Sequence, residues 1–68
     1  MTLTIELEQE TDGRWIAEIP ELPGVLVYGA TAEAAARLVR ALAFRVLADQ
    51  LEAGEVDAGA VGSVSFAA

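Results

Sequence analysis

Side chains able to perform catalytic or metal chemistry are scarce in this chain. It contains no histidine and no cysteine, which removes the commonest general base and metal ligand and the most reactive protein nucleophile. The only serines, Ser63 and Ser65, stand in a glycine-rich stretch and have no histidine to activate them. Hydrolysis through an activated serine is therefore disfavoured.

Two glutamates are spaced so that a metal ion could in principle bind between them. Glu6 and Glu8 lie two residues apart, and paired carboxylates can hold Mg²⁺ for nucleic-acid cleavage. The surrounding alternation places both on the polar face of a strand, where solvated charges are the simpler interpretation. Gly24 and Gly29 are isolated and match no phosphate-binding loop. We expect no catalytic residue, metal site or cofactor, and we expect a protein that is not an enzyme.

The charge balance bears on the kind of partner. Eleven acidic residues against four basic ones, all of them arginine, give a net charge of −7. Nucleic-acid binding relies on basic side chains to neutralise phosphates, so direct binding to DNA or RNA is disfavoured. The acidity suits a partner with a basic surface, or it simply keeps an apolar protein soluble.

The size of the chain favours self-association. Its 68 residues predict one domain, residues 1–68, and 54% of them are hydrophobic. Small folds without disulfides or metals usually add stability by oligomerising, so we expect a homodimer or tetramer. The longest uncharged stretch near the end, residues 58–68, is shorter than the ~20 residues of a membrane span. With no secretory signal, we expect a cytoplasmic protein.

Alternating residues predict the strands that position the polar side chains. Residues 2–8 and 14–19 each alternate, and the turn signal Thr11-Asp12-Gly13 joins them into a hairpin. Residues 20–24 contain two prolines and cannot continue a strand, but Leu22 between them predicts an ordered loop. A third strand covers residues 25–28, and a weak fourth strand covers residues 61–66.

A helix is predicted from an N-cap at Thr31 to about Ala53, with Gly54 as its C-cap. Residues 35, 38, 39, 42 and 46 form one apolar stripe, which can be extended to Ala43 and Asp49 and which we assign to the sheet. A second, offset stripe is assigned to a subunit contact and consists of Phe44, Leu47 and Leu51. The predicted order is β-β-β-α-β, an α+β fold in which one long helix covers a small sheet in a two-layer sandwich.

Three residues are candidates for contact with a partner: Trp15, Glu21 and Tyr28. Tryptophan is enriched at binding hot spots, which makes Trp15 a candidate, but Trp15 also fits a core position or a hairpin-stabilising one. Tyr28 has the same ambiguity at the end of a strand. Glu21 stands at the tip of the proline-bounded loop, where it is either a partner contact or an ordinary exposed charge.

Several of these residues occur together in a known pattern. Asp12-Gly13 with Trp15, the run Ile19-Pro20-Glu21-Leu22-Pro23-Gly24-Val25, and Tyr28-Gly29 with Thr31, Glu33 and Ala35 resemble the HicB-like antitoxin family over residues 3–55. The resemblance implies a β-β-β-α-β fold, regarded as a partial RNase H-like unit. It further implies binding and neutralisation of HicA, a small basic mRNA-cleaving toxin, and Trp15, Glu21 and Tyr28 would then contact the toxin.

The resemblance leaves other functions open. HicB antitoxins usually add a C-terminal DNA-binding segment, which this sequence does not show, so it would be a minimal form of the family. Alternatives are a HicB-like homo-oligomer without a toxin, or a nucleic-acid-processing enzyme with residual RNase H-like chemistry. The net charge of −7 disfavours the second alternative.

Overall fold

A computed structural model describes all 68 residues and confirms the α+β class. Five short strands and one long helix make up most of the fold, with a single 3₁₀ turn at Ala58–Val61. The strands are β1 (Thr2–Thr4), β2 (Glu6–Gln9), β3 (Trp15–Glu18), β4 (Leu26–Gly29) and β5 (Ser65–Ala67), and the helix α1 is Ala32–Glu52.

The first predicted strand is divided because it changes partners. Its first half, β1, pairs in parallel with β5, whereas its second half, β2, pairs antiparallel with β3. Ile5 lies between the halves, and its N–H donates to the carbonyl of Ala67 at 2.7 Å. The final strand is shorter than predicted, since it begins only at Ser65, and it pairs with β1 of the same chain.

The hairpin between β2 and β3 forms at the predicted turn. Gly13 has a φ of +93°, and its N–H donates to the carbonyl of Glu10 at 3.0 Å. Glycine adopts this left-handed conformation without steric cost. The resulting register places Leu7 opposite Ala17, so apolar residues share the side of the sheet that packs on α1.

The proline-bounded loop is two consecutive turns. The N–H of Leu22 donates to the carbonyl of Ile19, and the N–H of Val25 donates to that of Leu22, both at 3.0 Å. Gly24, with a φ of +86°, follows Pro23 as expected of a type II turn. The side chain of Leu22 is only 6% exposed, which confirms its predicted role as the anchor of an ordered loop.

The helix ends are formed by the predicted residues. The Thr31 hydroxyl accepts the N–H of Ala34 at 3.0 Å, which confirms the N-cap. The helix ends at Glu52 with Ala53 as its C-cap, so Gly54, predicted as the cap, is the residue after it. Gly54 has a φ of +73° and donates its N–H to the carbonyl of Leu51. The next N–H, of Glu55, donates to the carbonyl of Gln50, and the two bonds form a Schellman motif.

The buried stripe of α1 is rotated relative to the prediction. Leu47 was assigned to the outer stripe, which is wrong, because its side chain is 4% exposed and belongs to the core. Leu38 was assigned to the sheet, yet it is 42% exposed. The core consists of ten residues: Leu3, Ile5, Ala17, Ile19, Leu22, Val25, Ala35, Val39, Ala43 and Leu47.

Small residues bring α1 close to the sheet. Ala17 of β3 and Ala35 and Ala43 of α1 are completely buried. A Cβ added at Gly29 would lie 2.5 Å from the backbone nitrogen of Ala35, a distance that real Cβ atoms do not occupy. The end of β4 therefore touches the first turn of the helix directly, and this contact fixes the position of α1 over β3 and β4.

Candidate interaction surfaces

The side of the three-stranded sheet that faces away from α1 is open, and we call it the outer sheet face. Leu26 and Tyr28 on this face are 40% and 45% exposed. Alternation along each strand brings together three carboxylates and three apolar side chains, namely Glu6, Glu8, Ile16, Glu18, Leu26 and Tyr28. The face is therefore acidic along β2 and at Glu18, and apolar along β4 and at Ile16.

The carboxylates of the outer sheet face have no basic partner within the chain. Glu6 lies directly opposite Glu18 in the register, and like charges in that position destabilise a sheet. Glu8 is two residues further along the same face. The only ion pair in the structure joins Arg14 to Asp12, with Nε 2.8 Å from Oδ2. A basic partner would relieve this repulsion.

An ordered set of side chains borders the outer sheet face at Tyr28. The guanidinium carbon of Arg14 lies 4.5 Å from the centre of the Tyr28 ring, a cation–π arrangement. Asp12 holds Arg14 from the other side, accepting both its backbone N–H and its Nε–H. The backbone N–H of Arg14, followed by its side chain, lowers the pKa of Asp12 below its ordinary value. The Tyr28 ring therefore packs against an arginine whose position Asp12 fixes.

The three residues proposed for partner contact do not share a surface. Trp15 lies on the side of the sheet that faces α1, is half-buried and packs against the core. Tyr28 lies on the outer sheet face. Glu21 lies in the proline-bounded loop, beyond the other end of β3. Among the three, Tyr28 alone belongs to the open acidic face.

Glu21 forms hydrogen bonds within the chain. One oxygen accepts the N–H of Thr4 at 3.0 Å, and the other accepts the Thr4 hydroxyl at 2.7 Å. These bonds, the backbone one first, lower the pKa of the Glu21 carboxyl below its ordinary value. Glu21 follows the end of β3 and the turn at Pro20, whereas Thr4 is the last residue of β1. Glu21 thereby fastens the loop to β1.

The outward side of α1 carries a second apolar area, which we call the outer helix strip and define as Phe44 and Leu51. These side chains are 54% and 39% exposed. The Phe44 ring meets the Phe66 ring edge-on, with centroids 5.6 Å apart at 76°, and Arg40 lies over Phe66 at 5.6 Å. The strip therefore borders β5. Leu47, expected with this pair, lies beneath it in the core.

Glu18 and Leu26 belong to the outer sheet face but were not singled out from the sequence. The signal for Glu18 was present in the turn. A hairpin centred on Asp12 places residues whose numbers add up to 24 opposite each other, and that sum pairs Glu18 with Glu6. Leu26 shares the alternation of Tyr28, two residues away. The register, more than the residue types, reveals this face.

The structure contains no cavity or cleft and no group of acidic side chains arranged to hold a metal ion. Its one long helix lacks the apolarity of a bilayer-crossing segment. No protein-family model matches the chain, and no curated protein or solved structure matches it either. The resemblance to HicB-like antitoxins therefore depends on the residues quoted above.

Proposed function

We propose that the protein is a binding module of the antitoxin type, which binds and neutralises a small basic mRNA-cleaving toxin similar to HicA. One observation supports this most directly. The outer sheet face combines exposed Leu26 and Tyr28 with three carboxylates that have no cationic partner in the chain. Such a face is complementary in charge to a basic nuclease.

The composition of the outer sheet face suits a protein partner. Interfaces commonly combine apolar, aromatic side chains with polar ones, and Tyr28 with Leu26 supplies the apolar part of this face. Glu6, Glu8 and Glu18 would meet lysines or arginines that a nuclease uses to hold RNA phosphates. Complementary charge accelerates encounter and selects the partner. In this proposal Tyr28 is the anchor, while Trp15 supports the sheet from behind.

A HicB-like homo-oligomer with another binding role is the second candidate. The exposed Phe44 and Leu51 favour it, because a small chain seldom leaves two large apolar side chains uncovered beside each other without a partner. The two functions are compatible if the outer helix strip joins copies of the chain and the outer sheet face binds the toxin.

Co-expression with the neighbouring reading frame tests the antitoxin proposal. We expect a stable complex with a small basic protein, measured by pull-down and native mass, and suppression of its RNA cleavage. The triple variant Glu6→Gln, Glu8→Gln, Glu18→Gln should weaken binding by at least about tenfold, since it removes the complementary charges.

A matched control removes the same charge elsewhere. Asp49→Asn, Glu52→Gln and Glu55→Gln change exposed residues at the end of α1 and should leave affinity nearly unchanged. Equal loss in both triple variants would show that net charge alone, and not the outer sheet face, drives binding. Failure to recover any basic partner would refute the antitoxin proposal.

A further inference from the structure

The free edge of β4 has unpaired backbone groups. β4 is the last strand of the three-stranded sheet, paired only with β3. The N–H of Ile19 donates to the carbonyl of Val25 at 3.1 Å, and hydrogen-bonded pairs alternate along an antiparallel ladder. The N–H and C=O groups of Leu26 and Tyr28 therefore point away from β3, and neither residue makes a backbone bond elsewhere.

The β4 edge also lacks the usual protection against pairing. Proteins commonly place charges or prolines on exposed edge strands, because an open edge invites another strand. The edge at β2 follows this practice with Glu6 and Glu8. Residues 25–30, by contrast, contain no charged side chain and no proline. The composition of the β4 edge therefore permits pairing with another strand.

Apolar side chains of α1 lie above this same edge. Phe44 and Arg40 approach Phe66 and so mark the side of α1 that faces β5. Leu38 and Leu42 lie on the opposite side of the helix, since each residue advances about 100° around its axis. Because β5 pairs with β1, which continues into β2, and β3 lies between β2 and β4, β5 and β4 are at opposite ends of the strand arrangement, and that side of the helix faces β4. Leu38 is 42% exposed and Leu42 is half-buried, so the helix adds an uncovered apolar flank to the open strand.

We propose that two copies of the chain associate through antiparallel pairing of β4 with β4, about a two-fold axis perpendicular to the sheet. Leu38 and Leu42 of each copy then pack against those of the other, with both helices on the same side of a continuous six-stranded sheet. This contact is separate from the outer helix strip, and it does not depend on the antitoxin proposal.

A second copy suits the β4 edge better than an unrelated strand. An antiparallel strand pair about a two-fold axis is self-complementary, because each residue meets its counterpart in the same environment. Two chains of net charge −7 repel each other, so they must meet where charge is absent, as it is along residues 25–30. The pairing also enlarges a protomer core of only ten buried residues, a size at which association is a common source of stability.

Mass and hydrogen exchange on the purified chain test this pairing. Sedimentation or light scattering should give twice the chain mass at high micromolar concentration. The amides of Leu26 and Tyr28, which face solvent in one copy, should exchange at least about tenfold more slowly than in a diluted sample. A monomeric mass would overturn the proposal, as would rapid exchange of both amides in an oligomer.

Two exposed substitutions separate the possible interfaces. Leu38→Lys lies on the β4 side of α1, and Phe44→Lys is its matched control on the β5 side. Both side chains are more than two-fifths exposed, and unchanged far-ultraviolet circular dichroism verifies that each variant folds. Dissociation and faster Leu26 exchange in Leu38→Lys alone supports β4 pairing. Dissociation in Phe44→Lys alone assigns self-association to the outer helix strip and overturns the proposal.

Discussion

Glu21 and Gly29 show how single residues hold this fold together. Glu21 was selected as a candidate partner contact or an ordinary exposed charge, yet its two oxygens accept both donors of Thr4. The sequence could not reveal this, because the contact joins residues seventeen positions apart through a loop geometry that depends on Leu22. Gly29, the last residue of β4, lies so close to the backbone of Ala35 that only a residue without a side chain fits there.

The lowered pKa of Glu21 predicts a specific acid sensitivity. The folded state favours the ionised carboxylate, so its stabilising effect is complete above the ordinary pKa of 4.5 and is lost as the pH falls through the lower folded value. The free energy of unfolding, measured by urea titration, should therefore fall less steeply with acid in Glu21→Gln than in the wild type.

A second variant separates the causes of that shift. Thr4→Val removes the hydroxyl donor but keeps the backbone N–H, which is the larger cause. The Glu21 pKa, followed by carbon-detected nuclear magnetic resonance, should rise only part of the way to its ordinary value. A full return to 4.5 in Thr4→Val would contradict the assignment to the backbone bond.

Gly29→Ala should destabilise the protein by about 1–3 kcal/mol, because its Cβ would collide with helix backbone that cannot easily move. Gly62→Ala is the matched control. Its added Cβ would lie 3.5 Å from the nearest atom, the Gly59 carbonyl oxygen, and the change should cost less than about 0.5 kcal/mol. Thermal or urea denaturation measures both, and equal losses would argue against a tight contact at Gly29.

The sequence predicted where the turn and the helix lie along the chain better than it predicted how the helix is rotated against the sheet. The Asp12-Gly13 turn, the Thr31 cap and the helix stop before Gly54 each depend on local chemistry, and all three formed as predicted. The rotation of α1 did not follow. Hydrophobicity weights leucine above alanine, so the pattern drew the buried stripe toward Leu38. Ala35 and Ala43 belong to the predicted stripe and do face the sheet, where their small side chains permit a close approach. The buried stripe continues through Leu47, however, and leaves Leu38 outside.

The corrected rotation of α1 changes the expected effect of leucine substitutions. Leu47→Ala should lower the free energy of unfolding by about 2–5 kcal/mol, since it empties a core position. Leu51→Ala, one turn away and 39% exposed, should cost much less in the dilute protein. Urea denaturation compares them, and similar losses would show that Leu51 also contributes to the core.

At the scale of the whole molecule, three open regions dominate: the outer sheet face, the outer helix strip and the β4 edge. The sequence predicted self-association through Phe44, Leu47 and Leu51, but it did not locate the acidic outer sheet face or the open β4 edge. Strand register and the position of α1 decide this, and both depend on contacts far apart in the chain. Pairing at β4 would place two acidic outer sheet faces side by side and so present a wider surface to a basic partner.

The partner change at Ile5 has a consequence for synthesis on the ribosome. β1 emerges among the first residues, yet it pairs with β5, some sixty residues later. The hairpin of β2 and β3 can form early because its contacts are local. The backbone edge of β1 around Leu3 cannot form its hydrogen bonds until Ser65–Ala67 has been synthesised. During elongation, the nascent chain thus carries a strand whose backbone edge stays unpaired until the last part of the fold has been made.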